Sequence, residues 1–303
     1  MSITVFILTH NEGRHIERAI LSLSRLDASI IVVDSFSSDG TVELAKSLGA
    51  RVVQREFRFQ AEQLQWALDN IPIDTEWVMR LDADEVLSPE LADELSERLW
   101  LLPSDVTGVN LNRRHIFLGR WIRHGGRYPL TLLRIWRRGA GRIEQRLMDE
   151  HAILRNGKSS TFKFDFSDHN LQDLGSFTEK HNKYATREAI DRLNEELKFS
   201  SRDAGVSVES GNAQASQKRL IKQNIYNRLP FGLGPLGYFL WRYFIQLGFL
   251  DGREGLIYHF LQGFWYRFLV EAKLFELRGA VVHLNDAASI RIELSRLTGL
   301  AID

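Results

Sequence analysis

The sequence predicts an α/β fold with a mostly parallel sheet, followed by a helical, amphipathic C-terminal tail. In the first hundred residues, short apolar runs alternate with segments of helical period, which is the pattern of strand and crossover helix. A chain of 303 residues with 44% hydrophobic content can bury a sizeable core. Towards the C-terminus, apolar and aromatic residues recur at helical spacing.

The α/β half is predicted element by element. The strands are expected at Ile3–Leu8, Ile30–Asp34, Arg51–Val53 and Trp77–Leu81. The helices between them are expected at Glu12–Leu23, Thr41–Leu48, Gln60–Asn70 and Pro89–Leu99. The last of these helices has Ser88 as its N-cap and Pro89 at its first position.

Two further strands are expected at Thr107–Leu111 and Leu132–Trp136, separated by a loop from Asn112 to Pro129 that is rich in Arg, His and Gly. Asp173–Lys198 has the pattern of an amphipathic helix, and Ser200–Gln217 has the composition of a mobile connection. The sequence therefore predicts a catalytic domain at 1–198, a flexible connection at 199–217 and a helical region at 218–303.

The composition excludes several kinds of protein. Lys plus Arg and Asp plus Glu both number 39, and no basic stripe is present, so we expect no nucleic-acid partner. The absence of cysteine excludes disulfides, thiolate metal sites and thiol catalysis, so any metal must use carboxylates and histidines. Met1–Leu8 reads as a strand and not as a secretion signal, so we expect the chain in the cytoplasm.

Polar residues follow the predicted strands. The first strand leads into Thr9–Glu12, the second into Asp34–Thr41, and the fourth ends in Arg80–Glu85. Because open α/β sheets bind ligands at the carboxyl ends of their strands, these three segments are expected to meet in one crevice.

Asp82 and Asp84 are separated by one residue, so their carboxylates can hold a hard cation between the protein and diphosphate oxygens. An ordinary acidic loop is the alternative for this triplet taken alone. Asp34 and Asp39 have the alternative of ordinary turn and N-cap residues, because Asp39-Gly40-Thr41 makes a good helix entry. For Asp39, a structural role and a role in the site are compatible.

These segments resemble the signature of family 2 glycosyltransferases with the GT-A fold, in residue type, order and spacing. The resembling motifs are Thr9-His10-Asn11-Glu12, Val33-Asp34-Ser35-x-Ser37-x-Asp39-Gly40-Thr41 and Leu81-Asp82-Ala83-Asp84-Glu85. The chain is most similar to bacterial lipopolysaccharide-core and exopolysaccharide glucosyltransferases, through Met148–His151, Lys180–Ala185, Leu247–Gly255 and Phe264–Arg267. The resemblance covers most of the chain.

The resemblance implies an inverting transfer of a sugar, with glucose expected, from a UDP-sugar to a lipopolysaccharide-core or polyprenyl-linked acceptor. It also implies a divalent metal, Mn²⁺ or Mg²⁺, at Asp84. By similarity, Asp34 binds the uracil edge and Asp82 the ribose. The other residues assigned to the nucleotide-sugar pocket are Thr9, Asn11, Glu12, Ser35, Asp39, Arg80 and Ala83.

More positions follow from the resemblance. Gln63, with Arg58 and Gln60, can reach the donor phosphate or sugar from the edge of the third crossover, as a similar Phe-x-x-Gln segment does in the family. Solvated helix residues are the alternative. His169 is a second candidate metal ligand, because related enzymes often use a late histidine there and imidazole can complete a carboxylate site. A structural histidine is the alternative.

The catalytic base is expected in the acidic pair Asp149-Glu150. An inverting transfer needs a carboxylate that removes the proton of the acceptor hydroxyl. The family usually has Glu-Asp, so the inverted order here leaves the base open between the two residues. Asp149 is preferred, because neighbours in an extended segment point to opposite faces. A salt bridge of the pair with Arg142 or Arg146 is the alternative.

The predicted loop contains Arg123, His124 and Arg127 beside Gly125-Gly126, a combination that can wrap an anionic acceptor. Solvated arginines on a surface loop are the alternative.

The C-terminal region suits a membrane surface. Pro230, Pro235 and repeated glycines interrupt the apolar stretch Leu229–Leu250, which argues against a transmembrane helix there. Apolar and aromatic residues at helical spacing in Gly255–Leu277, with Trp241, Tyr243 and the upstream cations Lys218, Arg219, Lys222 and Arg228, favour an interfacial helix pair. The chain is thus expected at the inner face of the plasma membrane. A helical lid or a homo-oligomer interface is the alternative.

Two rival functions remain. A nucleotide-sugar-binding protein without catalysis would have lost the metal pair or the base, and both are present. A nucleotidyltransferase usually has a Gly-rich basic loop after the first strand, whereas Thr9–Arg14 offers one glycine and an acid.

Overall fold

A computed structural model describes residues 2–144, 151–200 and 230–302 of the chain. The strands of the N-terminal part are β1 Ile3–Thr9, β2 Ala28–Asp34, β3 Arg51–Gln54, β4 Trp77–Asp82, β5 Glu85–Leu87, β6 Val106–Phe117, β7 Arg120–Trp121, β8 Leu130–Arg137, β9 Gly141–Ile143, β10 Ala152–Leu154 and β11 Lys158–His169. Its helices are α1 Ile16–Ser22, α2 Thr41–Ser47, α3 Gln60–Asn70 and α4 Pro89–Arg98, with a 3₁₀ turn at Leu99–Leu101.

One large sheet has the strand order β3-β2-β1-β4-β8-β6-β11-β5, with β7 paired to β6. The strands β3, β2, β1 and β4 are parallel to one another, which confirms the α/β fold predicted for this half. β8 joins β4 antiparallel and is followed by β6 and β11, which are parallel to each other. β9 and β10 form a separate antiparallel pair.

Both faces of the sheet are covered. Val5 and Ile7 of β1 belong to an apolar cluster with residues of α1 and α4, whereas Phe6 between them belongs to a second cluster with residues of α3. This alternation follows from the two-residue side-chain period of a strand. The hydroxyl of Ser88 accepts a hydrogen bond from the Leu91 amide at 3.1 Å, which confirms the predicted N-cap of α4.

The structure corrects the expected loop at Asn112–Pro129. β6 continues to Phe117, and β7 follows at Arg120, so only 122–129 connects β7 to β8. Arginines and a histidine in an extended segment hid this continuation, because they lack the apolar alternation of a strand. β11 had a usable signal in the alternating Phe162, Phe164 and Phe166, of which the first and last are buried.

The C-terminal part is helical, as predicted. Its helices are α5 Leu174–Leu197, α6 Leu233–Leu240, α7 Gly252–Tyr258, α8 Tyr266–Val281 and α9 Ala287–Thr298. π-helical turns at Trp241–Ile245 and His259–Trp265 and a 3₁₀ turn at Gly248–Asp251 connect α6 to α8. Within the described residues, no helix combines the length and the apolar content that crossing a bilayer requires.

The described chain divides into two compact units that meet in sequence at Leu171 and Gln172. The expected domain boundary at 198 differs from this division, because α5 packs with the C-terminal helices. Ala189 and Leu193 on α5 lie in one apolar cluster with Leu277 and Leu294. The predicted connection at 199–217 and the cations from Lys218 to Arg228 lie almost wholly outside the described residues.

Candidate active site

The carboxyl ends of β1 and β2 are joined through Asp34, which is fully buried. Its carboxylate accepts hydrogen bonds from the Thr9 hydroxyl at 2.9 Å, the Ser37 amide at 2.9 Å and the Gln54 amide group at 3.2 Å. Burial opposes ionisation of Asp34, but these hydrogen bonds outweigh it and lower its pKa. Asp34 is therefore ionised, and the hydrogen bonds that its carboxylate accepts define the shape of the loop after β2.

The loops after β1 and β2 are held together by reciprocal hydrogen bonds. The Asn11 amide donates to Ser37 Oγ at 2.8 Å, and the Ser38 amide donates to Asn11 Oδ1 at 2.9 Å. Asn11 has a φ of 57°, a left-handed conformation that Asn adopts more readily than most residues. These hydrogen bonds and this backbone conformation define the shape of the loop that carries Asn11.

Asp39 has the structural role that the helix-entry interpretation predicts. Its carboxylate accepts from the Gly13 amide at 2.9 Å and from the Thr41 amide at 3.1 Å. The Thr41 hydroxyl in turn accepts from the Glu12 amide at 2.9 Å, so the start of α2 is tied to the loop after β1. A contact with the donor would be a second role for Asp39.

Gln63 and Ser35 form a buried pair. Gln63 Nε2 and Ser35 Oγ are 2.9 Å apart, and Gln63 also lies 3.4 Å from the Val33 carbonyl oxygen. Gln63 is 2% exposed, so it is not the solvated helix residue that the sequence left open. Its visible role is to anchor α3 to the end of β2.

Glu12 is oriented by a buried histidine. The Leu171 amide donates to Nε2 of His15 at 2.9 Å, which leaves the proton of the neutral ring on Nδ1. Nδ1 lies 2.6 Å from the Glu12 carboxylate and donates to it. Glu12 thereby presents a fixed carboxylate at the predicted nucleotide pocket.

The turn after β4 is built around two arginines. Arg80 Nε lies 3.1 Å from Asp82 Oδ1, and Arg134 Nη2 lies 3.6 Å from Asp82 Oδ2. Arg134 also donates to Glu85, whose other carboxylate oxygen accepts from the Asp82 amide at 2.9 Å. Ala83, between Asp82 and Asp84, is buried. These contacts fix the turn that carries both aspartates of the predicted metal motif.

The two acids of this turn have opposite pKa shifts. Burial opposes ionisation of Asp82, but the guanidinium groups of Arg80 and Arg134 prevail and lower its pKa to about 2. Burial raises the pKa of Glu85 to about 8, against the attraction of Arg134 and with the Asp82 charge adding to the rise. Asp82 keeps a side-chain exposure of 27%, whereas Glu85 has 1%. The accessible acid is therefore the ionised one.

The main chains of Asp84 and His169, the two candidate metal ligands, are hydrogen-bonded to each other. The His169 amide donates to the Asp84 carbonyl oxygen at 2.9 Å, and Asn170 Nδ2 donates to Asp84 Oδ2 at 3.1 Å. Arg18 Nη2 donates to the His169 carbonyl oxygen at 2.8 Å, and its Nη1 lies 3.4 Å from His169 Nδ1. Burial and the Arg18 charge lower the pKa of His169, so its ring is neutral at pH 7.

This donor set fits Mn²⁺ or Mg²⁺. Carboxylate oxygens suit both cations, a neutral imidazole can complete a carboxylate site for Mn²⁺, and such cations commonly complete their shell with substrate phosphates and water. Within the described ranges, no three His, Asp or Glu side chains form a metal cage by themselves. A cation here would thus depend on Asp84, with His169 replacing its Arg18 contact, and on oxygens from the ligand.

Arg123, His124 and Arg127, which are predicted to bind the acceptor, lie in the connection from β7 to β8. A cluster of charged residues on β6 and β11 lies next to them. His115 Nδ1 lies 3.1 Å and Arg113 Nη1 lies 3.3 Å from Asp168 Oδ2. Burial opposes ionisation of Asp168, but His115, Arg113 and Arg127 hold its pKa well below the usual range. Since Asp168 precedes His169, the cluster adjoins the candidate metal ligands.

The acidic pair Asp149-Glu150, which is expected to contain the catalytic base, lies outside the described residues.

Three residues that hold the site together were not predicted from the sequence: Arg134, Arg18 and His15. Arg134 carried no signal because it lies in an apolar strand 49 residues from its partner Glu85. His15 and Arg18 follow the Thr9–Glu12 motif closely, and their helical spacing from Glu12 was the available signal.

Comparison with known proteins identifies the family. Residues 4–170 match the sequence model of Glycosyl transferase family 2, which is more than half of the chain. An uncharacterized glycosyltransferase of Rickettsia bellii is 44% identical over 93 residues, which is 31% of this chain and 31% of that protein. The chain thus spans about a third of the length of the Rickettsia relatives that it matches.

A longer alignment joins this chain to a protein of Rhizobium meliloti. The lipopolysaccharide core biosynthesis glycosyltransferase LpsC is 28% identical over 267 residues, covering 86% of this chain and 90% of that protein. Among solved structures, glucosyl-3-phosphoglycerate synthase from Mycobacterium tuberculosis, in complex with Mn²⁺, UDP and glucosyl-3-phosphoglycerate, is 28% identical. That likeness covers 38% of this chain and 44% of the other, with a TM-score of 0.31.

Proposed function

The chain belongs to glycosyltransferase family 2, and from this premise we propose that it transfers glucose from UDP-glucose to a saccharide acceptor, with inversion at the anomeric carbon. The observation that carries the proposal is the assembly of Asp82, Asp84 and His169 at one edge of the sheet, beside the fixed loops after β1 and β2. An open α/β sheet binds its ligand at this edge.

The donor pocket is proposed to use the loops described above. Thr9, Asn11 and Glu12 line the nucleotide, with the uracil near Asp34 and the ribose at Asp82. Asp34 and Gln63 are fully engaged with protein groups, so their contribution is to hold the pocket walls in place. Ser35, Asp39, Arg80 and Ala83 complete the same walls.

Asp84 and His169 are the proposed ligands of Mn²⁺ or Mg²⁺. Such a cation, when bound, neutralises charge on the diphosphate as it leaves. The chain's own contribution is to hold Asp84 through Asn170 and to keep the His169 ring neutral. Arg18, which lies close enough to Asp84 for a favourable electrostatic interaction, adds a fixed positive charge at the same place.

Asp149 or Glu150 is the proposed general base. It removes the proton of the attacking hydroxyl as the new glycosidic bond forms, and UDP leaves from the opposite face of the sugar. This step creates one bond, breaks one bond and transfers one proton to a carboxylate, so it needs no further reactant.

The acceptor is proposed to be a lipopolysaccharide core or a polyprenyl-linked saccharide. The long alignment with LpsC supports the first of these. The helices after Phe231 support a location at the membrane surface, because they expose many large apolar side chains. These are Phe231, Leu233, Leu236, Leu240, Trp241, Phe244, Ile245, Leu247, Phe249, Leu250, Leu256, Phe260 and Phe268.

Isothermal titration with UDP, GDP and UDP-glucose, with and without MnCl₂, tests the donor assignment. We expect metal-dependent binding of the uridine nucleotides and little binding of GDP. Absence of nucleotide binding would contradict the donor site. Binding without any transfer, in assays with lipopolysaccharide or polyprenyl-linked acceptors, would favour a nucleotide-sugar-binding protein without catalysis.

A further inference from the structure

The segment from Val106 to Ile143 has an unusual charge composition. It contains nine arginines and two histidines, and it contains no Asp, Glu or Lys. Arginine differs from lysine in presenting a planar fork of donors that matches the two oxygens of a carboxylate or phosphate. A segment of the catalytic unit that has many arginines and no lysine therefore indicates recognition of oxyanions more than general solubility.

The structure assigns part of this run to internal ion pairs. Arg134 pairs with Glu85, Arg137 with Glu76, Arg114 with Asp165, and Arg113 with Asp168. Each of these partners comes from a strand, turn or loop outside the run. Arg114 and Arg113 lie on β6, and their acids lie on the neighbouring strand β11, so they are fixed components of the sheet.

Arg123 and Arg127 belong to the connection from β7 to β8 and lie around the same two acids. Arg127 acts electrostatically on Asp168, and Arg123 acts on Tyr128, whose hydroxyl donates to Asp165 at 3.0 Å. The cluster thus brings the guanidinium groups of Arg113, Arg114, Arg123 and Arg127 to two carboxylates. Within the part of the chain that the structure describes, these four arginines lie around Asp165 and Asp168.

The connection is held rigidly. The Ile122 amide donates to the His115 carbonyl oxygen at 2.9 Å, and the Ile122 side chain is fully buried. The rings of Trp121 and Tyr128 meet edge to face at 5.0 Å, and Arg123 lies over Trp121 at 5.3 Å. A rigid cationic surface loses little conformational entropy on binding.

The cluster lies near the turn that carries the aspartate pair, because Asp168 acts electrostatically on both Asp82 and Glu85 of that turn. An acceptor must approach a donor sugar held at this turn. We infer that Arg123 and Arg127, with His124 between them, bind a phosphate or carboxylate group on the acceptor saccharide. This inference rests on the proposed function and adds to it the chemical class of the acceptor.

The test uses NMR of the tryptophan indole N–H groups in full-length protein saturated with UDP and the diamagnetic cation salt MgCl₂. Glucose 6-phosphate, glucuronate and glucose are the probes, which separate a phosphate, a carboxylate and a neutral sugar. A Trp121→Phe variant identifies the Trp121 resonance among those of the seven tryptophans. We expect a saturable shift of that resonance with one or both anionic sugars and none with glucose.

Arg123→Gln and Arg127→Gln should each weaken this binding about tenfold, as expected for loss of a charge-assisted hydrogen bond. Arg123→Lys keeps the charge and should lose part of the affinity. Arg138→Gln is the matched control, because Arg138 is an exposed arginine of the same run whose Nη1 donates to the Ile73 carbonyl oxygen at 2.6 Å.

The outcomes separate the two proposals. If UDP does not bind, the proposed function fails. If UDP binds but the anionic sugars leave Trp121 unchanged, or if both Gln variants behave like Arg138→Gln, the acceptor inference is overturned. Displacement of UDP by the anionic sugars would also overturn it, because the cluster would then belong to the donor site.

Discussion

Arg134 contacts both ends of the turn that carries the aspartate pair. Its Nη2 atom lies 3.6 Å from Oδ2 of Asp82 and donates a hydrogen bond to Oε1 of Glu85. Arg134 is 5% exposed and Glu85 is 1% exposed, so this guanidinium supplies charge and hydrogen bonding where water does not. The geometry of the proposed donor site therefore depends on one residue of an antiparallel strand.

Replacement of this guanidinium should be costly. In Arg134→Met, Asp82 and Glu85 lose the cation that they share, and breaking a buried pair in this way costs about 3–5 kcal/mol. The loss should be larger at pH 9 than at pH 6, because a protonated Glu85 needs no counter-charge. Urea unfolding at both pH values measures it. A loss below about 1 kcal/mol at pH 9 would contradict the role given to Arg134.

Stability should fall as the pH rises through the range in which Glu85 loses its proton. The folded protein keeps this proton up to about pH 8, whereas the unfolded chain releases it near pH 4.5. Between these values the folded state binds more protons, so the free energy of unfolding decreases with pH, by at most about 1.4 kcal/mol per unit.

Glu85→Gln is the matched variant for this pH dependence, because it keeps the shape of the side chain and cannot titrate. Urea unfolding from pH 5 to pH 9 should give a flatter profile for the variant than for the wild-type protein. Parallel profiles would show that Glu85 is ionised throughout this range in the folded protein.

Asp84→Ala should abolish the metal dependence of UDP binding, because it removes the carboxylate that Asn170 holds in place. Isothermal titration with and without MnCl₂ measures this difference. Asp93→Ala is the control, since Asp93 is an exposed acid of α4 whose partner is Arg25. Equal metal dependence in the two variants would remove Asp84 from the proposed site.

Loss of the general base should affect turnover and not the binding of the donor nucleotide. Asp149→Asn should lower the turnover number about 10²–10⁴-fold while UDP affinity stays unchanged, because a general base acts on the acceptor proton. Transfer of labelled glucose from UDP-glucose to lipopolysaccharide measures turnover. Glu150→Gln is the comparison, and a larger loss in that variant would exchange the roles of the two residues.

The exposed apolar helices should bind lipid. The double variant Trp241→Ala, Phe244→Ala removes two side chains that are each 54% exposed, and burial of such groups is worth about 1.5–3 kcal/mol each. Cosedimentation with phosphatidylethanolamine–phosphatidylglycerol vesicles should therefore fall at least about tenfold. Leu101→Ala, an exposed apolar residue of the catalytic unit, is the control. If the double variant binds vesicles as well as Leu101→Ala does, the apolar helices are not the lipid-binding surface, and a lid or an oligomer interface is favoured.

The sequence by itself determined the parts of the molecule that depend on local pattern. The period of apolar residues located β1, β2, β4 and the crossover helices, and Ser88 with Pro89 identified the start of α4. The polar strand ends placed Thr9, Asp34 and Asp84 at one edge, because parallel strands bring their carboxyl ends together. The richness of Asn112–Pro129 in Arg and His was also evident from the sequence.

Only the tertiary structure decided which distant residues meet. Asn170 bonds to Asp84 across 86 positions, and Arg134 bonds to Glu85 across 49. These contacts follow from the insertion of β8, β6 and β11 beside β4, which no local period encodes. The burial that raises the pKa of Glu85 and the packing that assigns α5 to the C-terminal unit have the same origin, because both depend on neighbours contributed by remote segments.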